Sequence, residues 1–162
     1  MFLERNGWMP EIYFAGRRDN TGIINIKYIK EIDQYLKNNP KVAQHVIWLG
    51  EVKNMGELYH SSDALLFISF FEGLPNVVCE SMILGCLVIA SNVCDHPVLI
   101  GEDEERGLLC DPFLPMTICN AVERIYSMPF EERKEKIKEF QSDLINIGKQ
   151  IHLFKFSYTV KS

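Results

Sequence analysis

The sequence predicts an α/β fold of three layers around a mostly parallel sheet, and three observations carry that prediction. Short apolar runs that close on a glycine or a polar residue alternate with stretches whose apolar residues recur at helical spacing. One run, "DALLFIS" at 63–69, is apolar on both faces, as in a strand covered by helices on either side. No internal repeat and no low-complexity linker interrupts the alternation, so the units read as successive βαβ crossovers of right-handed connection.

"EIYFAG" (11–16) is the first strand, ended by Gly16. Residues 20–40 then place Ile24, Tyr28, Ile32 and Tyr35-Leu36 at helical spacing, and Pro40 stops that helix. "HVIWLG" (45–50) is the second strand, ended by Gly50. Residues 56–62 make one or two helical turns, and 63–69 is the third strand. The helix after Pro75 runs to about Gly85, which suits a C-terminal cap. "CLVIAS" (86–91) is the fourth strand and "RGLLCDP" (106–112) a short fifth. The segment 115–128 is a helix with Ile118, Ala121, Val122 and Ile125 on one face. The highly charged 130–150 reads as a surface-laid helix with an apolar stripe of Ile137, Phe140, Leu144 and Ile147. The tail 151–162 alternates in character and fits an edge strand or a frayed extension equally well.

A chain of 162 residues fits one domain with a real core, so 1–162 is read as a single domain. A net charge of −5, with no basic stripe among aromatics, excludes nucleic acid as the main partner. Five cysteines, odd in number and without C-x-x-C spacing, read as reduced thiols of a cytoplasmic protein and not as a zinc site. The start "MFLERNGWMP" lacks the pattern of a signal peptide, and "ALLFISFF" and "ILGCLVIA" are too short to span a bilayer. Membrane contact is expected to be peripheral at most. No Ser-His-Asp or Cys-His arrangement follows from the spacings.

The chemistry concentrates in "SFFEGLPNVVCES" (69–81). Parallel sheets bind ligands at the carboxyl ends of their strands, where helices begin. Strand 63–69 delivers the chain to that edge, and the following helix presents free N–H groups and a dipole that favours a phosphate. Gly73 allows close backbone approach, Pro75 suits a first-turn position, and Asn76 is a candidate cap. Glu72 stands before this turn and Glu80 four residues after Asn76. Ionised carboxylates accept hydrogen bonds from hydroxyls, so the pair suits a ligand with a phosphate centre and hydroxyls at either end. For an acid pair alone the simpler reading is two solvated carboxylates favoured by the helix dipole, worth about 0.3–1 kcal/mol.

With its surroundings the segment says more. "ISFFEGLPNVVCESMILGCLVIAS", preceded by "VIWLGEV" and "GELYHSSDALLF", resembles the C-terminal half of retaining glycosyltransferases of family four, enzymes with two Rossmann-like domains in the GT-B arrangement. The resemblance runs from about residue 12 to 128, and Glu72 and Glu80 match the family's Glu-x7-Glu signature. It implies that Glu72, the catalytic candidate, holds the transferred sugar of a UDP- or GDP-linked donor. Gly73, Leu74, Pro75 and Asn76 would cradle sugar and diphosphate, Glu80 would take the ribose, and the Gly50-Glu51-Val52 loop would lie beside the base. Such donor binding needs no metal and no further cofactor. The implied function is transfer of a hexosyl group from a nucleotide sugar to a saccharide or lipid-linked acceptor.

The departures are specific. The family carries an Arg and a Lys on a unit preceding the one that begins at Ile12, and this chain is expected to lack that unit and the N-terminal acceptor domain. The isolated chain is therefore expected to be a poor catalyst or none. Leu87 and Pro97-Val98 replace a proline and a Pro-Glu of the family pattern. Arg17 and Arg18 read as exposed loop charges, although Arg17 has the reach for a phosphate. His96 reads as a surface loop residue near the rim. Two other functions fit the same sequence: a non-catalytic GT-B remnant or interaction module, and a sugar-nucleotide epimerase-like domain.

Overall fold

Each of the five apolar runs becomes a strand, and every strand pairing among the described residues is parallel. The computed structural model describes residues 2–18, 23–73, 75–101 and 103–150, and the chain divides into two units, Met1–Met55 and Gly56–Ser162.

The first unit holds helix α1 (Phe2–Asn6), strand β1 (Ile12–Ala15), helix α2 (Ile23–Asn38), helix α3 (Pro40–Ala43) and strand β2 (Val46–Gly50). β1 and β2 pair from Ile12↔Val46 to Phe14↔Trp48, with the register shifting before Ala15. The rings of Phe14 and Trp48 stack at 4.4 Å across this pair. α2 stops at Asn38, and Pro40 opens the separate short helix α3, since proline fits a first turn but not a helix interior. The expected apolar stripe of α2 is only partly covered: Leu36 is half-buried, while Tyr28, Ile32 and Tyr35 stay exposed. A two-stranded sheet offers too little apolar area to bury more. Residues 20–22 and the side chain of Ile24 lie outside the described part. The sequence reading missed α1 and α3, whose five and four residues are too few for a periodicity to register.

The second unit runs through helix α4 (Met55–Ser61), strand β3 (Ala64–Phe67), helix α5 (Asn76–Ile83), strand β4 (Leu87–Ser91), helix α6 (His96–Ile100), strand β5 (Leu108–Cys110), helix α7 (Pro115–Ser127) and helix α8 (Phe130–Gln150). Its sheet has the order β3-β4-β5, and all five residues of the central β4 are buried. Alternation along β4 sorts the core into two layers. Val88 and Ala90 pack with Val78 and Met82 of α5, Leu99 and Ile100 of α6, and Phe140 of α8. Leu87 and Ile89 pack with Leu108, Cys110, and Ala121 and Ile125 of α7. Helices thus cover both faces, the three-layer arrangement that the unbroken apolar runs predict. Each large side chain so buried contributes about 1.5–3 kcal/mol.

Two glycines are fixed by geometry. Gly85 follows the last turn of α5 at φ +81°, the left-handed conformation that ends many helices. A Cβ on Gly107 would stand 2.8 Å from the carbonyl oxygen of Val88 and 3.0 Å from Ile100 Cδ1, so β5 approaches β4 only without a side chain there.

Three expectations for this unit change. Residues 96–100 form α6 instead of a loop; Asp95 followed by a first-turn proline is a helix-start pattern that five residues of periodicity could not reveal. α8 is charged on its outer face, yet Phe140 is 1% exposed at the centre of the core, so the helix is anchored and not merely laid on the surface. The fifth strand spans only Leu108–Cys110. The side chains of Leu144 and Ile147 and the tail 151–162 lie outside the described part. Among the described residues, no helix is long and apolar enough to cross a membrane.

Candidate functional site

The segment between β3 and α5 sits at the carboxyl edge of the second unit's sheet, where the loops after β4 and β5 also emerge. Ser69, just past β3, donates its backbone N–H to Ser91 Oγ at 2.8 Å and ties the ends of β3 and β4 together. From that anchored point the chain turns outward. Phe70 and Phe71 are exposed at 65% and 86%, and Glu72 and Gly73 follow, also exposed. Leu74 lies outside the described residues. Pro75 then turns inward, buried, with ψ 116°, and α5 begins at Asn76.

This start differs in one respect from the sequence reading. Pro75 occupies the cap position, and Asn76 is the first helical residue and does not cap. The backbone carbonyl of Pro75 accepts from Val78 N and Cys79 N at 3.1 and 3.3 Å, but no side chain caps the helix. Its first N–H groups are therefore left to solvent or to a ligand. The reason is local: extended ψ at Pro75 aims the chain into the helix, and an asparagine already inside the first turn cannot reach back as a cap.

Glu80 is exposed on α5, four residues and about 6 Å of helix rise beyond Asn76. Neither Glu72 nor Glu80 spends its carboxylate on a partner among the described residues. Glu80 makes itself felt nearby. Burial pushes the Tyr59 hydroxyl's pKa up, and the Glu80 charge adds to it. Burial likewise raises the Cys79 thiol, with a smaller push from Glu80. The two acids thus bracket an uncapped helix start with their acceptor capacity unspent.

His96 departs from expectation. It is fully buried as the first residue of α6, and its Nδ1 lies 2.7 Å from the carbonyl oxygen of Ser91. A carbonyl only accepts, so Nδ1 carries the hydrogen. The ring meets Phe67 edge-on at 5.6 Å, and Nε2 is buried without a hydrogen-bond partner. His96 therefore braces the β4 exit and is not on the surface. The turn before it forces Cys94 to φ +48°, unusual for a residue with a side chain.

The remaining predicted residues belong to the first unit. Gly50 ends β2 at φ +66°, and its carbonyl accepts from Gly16 N at 2.7 Å. Glu51 is exposed and pairs with Arg17, while Val52 is half-buried. Arg18 pairs with Asp33 at 2.6 Å and lies 4.6 Å from the Trp48 ring centre. Both arginines are thus engaged inside their own unit. The Arg17–Glu51 pair, well exposed on both sides, is worth at most about 1 kcal/mol.

Sequence reasoning missed an aromatic rim. Phe113, 70% exposed after β5, meets Phe70 at 5.0 Å between ring centres. Beside it opens a cavity of about 510 Å³, lined among others by Asn92, Cys110, Asp111 and Phe113. This cavity lies at the ends of β4 and β5, whereas the acid pair follows β3. The acid pair remains the stronger candidate, because the two carboxylates beside the cavity already serve local structure: Asp111 Oδ1 accepts from Phe113 N, and Glu104 Oε1 from Leu109 N, both at 2.8 Å. The paired phenylalanines of "SFFEG" were the signal for the rim, and a buried strand end explained them equally well. Among the described residues, no cluster of His, Cys, Asp or Glu could hold a metal ion.

Comparison with known proteins places this geometry in context. Residues 9–128 match the family described as Glycosyl transferases group 1. An α-1,4-N-acetyl-D-galactosaminyltransferase of Campylobacter jejuni, named for an undecaprenol-diphosphate-linked saccharide, is 28% identical over 62% of this chain and 34% of that enzyme. Sucrose-phosphate synthase from Thermosynechococcus elongatus superposes with a TM-score of 0.72 at 22% identity, covering 88% of this chain and 36% of that one. Anabaena HepE, solved in complex with UDP, gives 0.72 at 19% identity over 88% of this chain and 40% of that one. The fold is thus the mixed α/β, Rossmann-like type of GT-B glycosyltransferases. The chain spans between a third and two-fifths of the length of these relatives.

Proposed function

The chain belongs to the family of glycosyl transferases group 1, and from that premise we propose that it is the donor-binding, C-terminal half of a retaining glycosyltransferase. The observation that carries the reading is the β3–α5 junction. An anchored strand end, an exposed turn and an uncapped helix start are bracketed by Glu72 and Glu80, whose carboxylates have no partner among the described residues.

Each part has a task. The first amides of α5 receive the diphosphate of a nucleotide sugar, and the helix dipole stabilises its charge as it becomes the leaving group. Glu80 accepts hydrogen bonds from the ribose hydroxyls, and Glu72 from the hydroxyls of the transferred sugar, which fixes the anomeric carbon in place. The reading requires no metal, since backbone amides and the dipole meet the phosphate charge. UDP is the first donor nucleotide to test because Anabaena HepE was solved with it, and the name of the Campylobacter enzyme favours a lipid-linked saccharide as acceptor.

Titration of the chain with UDP, GDP and ADP, followed by amide NMR, tests the reading. Shifts at Gly73 and Asn76 to Glu80 with one nucleotide are expected. Silence with all three would leave a non-catalytic remnant as the better account. No sugar transfer by the purified chain is expected in a radiolabel assay, and robust turnover would overturn the half-enzyme reading.

A further inference from the structure

We infer that the cavity at the exits of β4 and β5 is a subsite for one neutral pyranose ring, stacked on Phe113 and hydrogen-bonded by Asn92 and Asp111. That this sugar belongs to the acceptor rests on the donor-half reading; that the cavity takes a sugar does not.

Phe113 is held outward by its own turn. Phe113 N donates to Asp111 Oδ1 at 2.8 Å, Leu114 N to the Asp111 carbonyl at 3.1 Å, and Asp111 N to Thr117 Oγ1 at 2.9 Å. None of these bonds uses the ring, and the ring belongs to neither core layer. The fold thus sets an aromatic face in a fixed place without drawing stability from it. The exposed Phe70 meets that ring at 5.0 Å with the planes tilted by 43°, which widens the platform. The C–H face of a pyranose packs on such a surface, because the ring face carries the negative side of the aromatic quadrupole.

The polar groups beside the platform suit hydroxyls. Asn92 donates its backbone N–H to the Cys110 carbonyl at 2.7 Å, while its exposed side-chain amide, both donor and acceptor, has no partner among the described residues. Asp111 serves its turn through Oδ1, which leaves Oδ2 to accept from a ligand. Charge narrows the occupant. No described lining residue is basic, and the nearby Arg124 is already paired with Glu104 at 2.7 Å, so a phosphate or carboxylate would meet Asp111 uncompensated. An uncharged, hydroxyl-rich ring meets no such penalty, and about 510 Å³ lies within the roughly 300–1,000 Å³ of small-molecule sites.

The position fits an acceptor. β3 and β5 are two strand spacings apart, about 10 Å, and Phe70 stands two residues before Glu72. A saccharide can therefore run from the acid loop over the Phe70–Phe113 pair into the cavity.

Amide NMR of the full chain, titrated with the methyl α-pyranosides of glucose, galactose and mannose, tests this. Shifts at Asn92 and Phe113 that saturate in the millimolar range are expected with at least one of them. Phe113→Ala and Asn92→Ala should each weaken that binding by about 2- to 10-fold, and Phe113→Trp should keep it. Phe130→Ala, which removes another well-exposed ring at the start of α8, should leave it unchanged. No shift with any pyranoside would overturn the proposal, as would an equal loss in Phe130→Ala. Shifts with tetramethylammonium and none with a pyranoside would make this a cation site and overturn it too. UDP added to the same sample separates the two readings. UDP shifts at α5 with silence from every pyranoside would sink the subsite alone; pyranoside shifts with silence from UDP would uphold the subsite and sink the donor reading.

Discussion

Replacing Phe140 by alanine tests whether α8 belongs to the core. If the helix were a solvated rod, as its charge suggests, removing one ring would cost less than about 0.5 kcal/mol. In the structure Phe140 is 1% exposed and packs among Val78, Met82, Val88, Ala90, Leu99 and Ile100, contributed by α5, β4 and α6. Removal of a buried phenylalanine costs about 3–5 kcal/mol, through lost transfer energy and the cavity left behind. That is a large share of the roughly 5–15 kcal/mol typical of a domain. With a urea slope of about 1–3 kcal/mol per molar, the midpoint should fall by one to several molar. Urea titration followed by dichroism at the helical band is the assay, because most of the described helix lies in the second unit. Both tryptophans lie in the first unit, so fluorescence cannot substitute. A midpoint lowered by less than about 0.3 M with unchanged slope would refute the packing argument.

Other outcomes follow from the same coordinates. Gly107→Ala should cost about 1–3 kcal/mol by overpacking β5 against the Val88 carbonyl and Ile100; a neutral result in urea would show that β5 has room to shift. Burial pushes the thiols of Cys86 and Cys110 from 9.0 up to about 11. The thiol is the form favoured in the fold, so this stability is present below pH 9.0 and lost as pH rises through about 11. Urea stability measured across that window should decline less in the Cys86→Ala/Cys110→Ala double variant than in the parent, and equal declines would contradict the assignment. At neutral pH a thiol reagent should modify the exposed Cys94 first and Cys86 and Cys110 only on unfolding, with mass spectrometry as the readout.

Strand identity was legible wherever an apolar run met a terminator. "CLVIAS" is legible as a strand because burial on both faces leaves no room for polar residues, and "DALLFIS" because its core residues 64–67 are apolar throughout although Leu66 stays exposed. Short helices were not legible: α1, α3 and α6 have four or five residues and no period to detect. The acid pair was readable in position, but whether Asn76 caps depended on ψ at Pro75, which sequence does not fix. His96 is the clearest miss. Histidine after a polar turn looks solvent-facing, and only the path of the chain from Ser91 reveals that its Nδ1 bonds that residue's carbonyl inside the core.

The account turns on two carboxylates with separate tasks, and calorimetric titration of UDP and of a UDP-sugar into the parent chain, Glu72→Gln and Glu80→Gln reads them apart. Both side chains are exposed, so neither change should disturb folding. Hydrogen bonds to a charged group are worth about 1.5–3 kcal/mol, which is roughly 10- to 150-fold in affinity. Glu80→Gln should weaken both ligands by a factor in that range, while Glu72→Gln should weaken the UDP-sugar and leave UDP unchanged. Equal affinities across all three proteins, or a loss of bare UDP binding in Glu72→Gln, would contradict it.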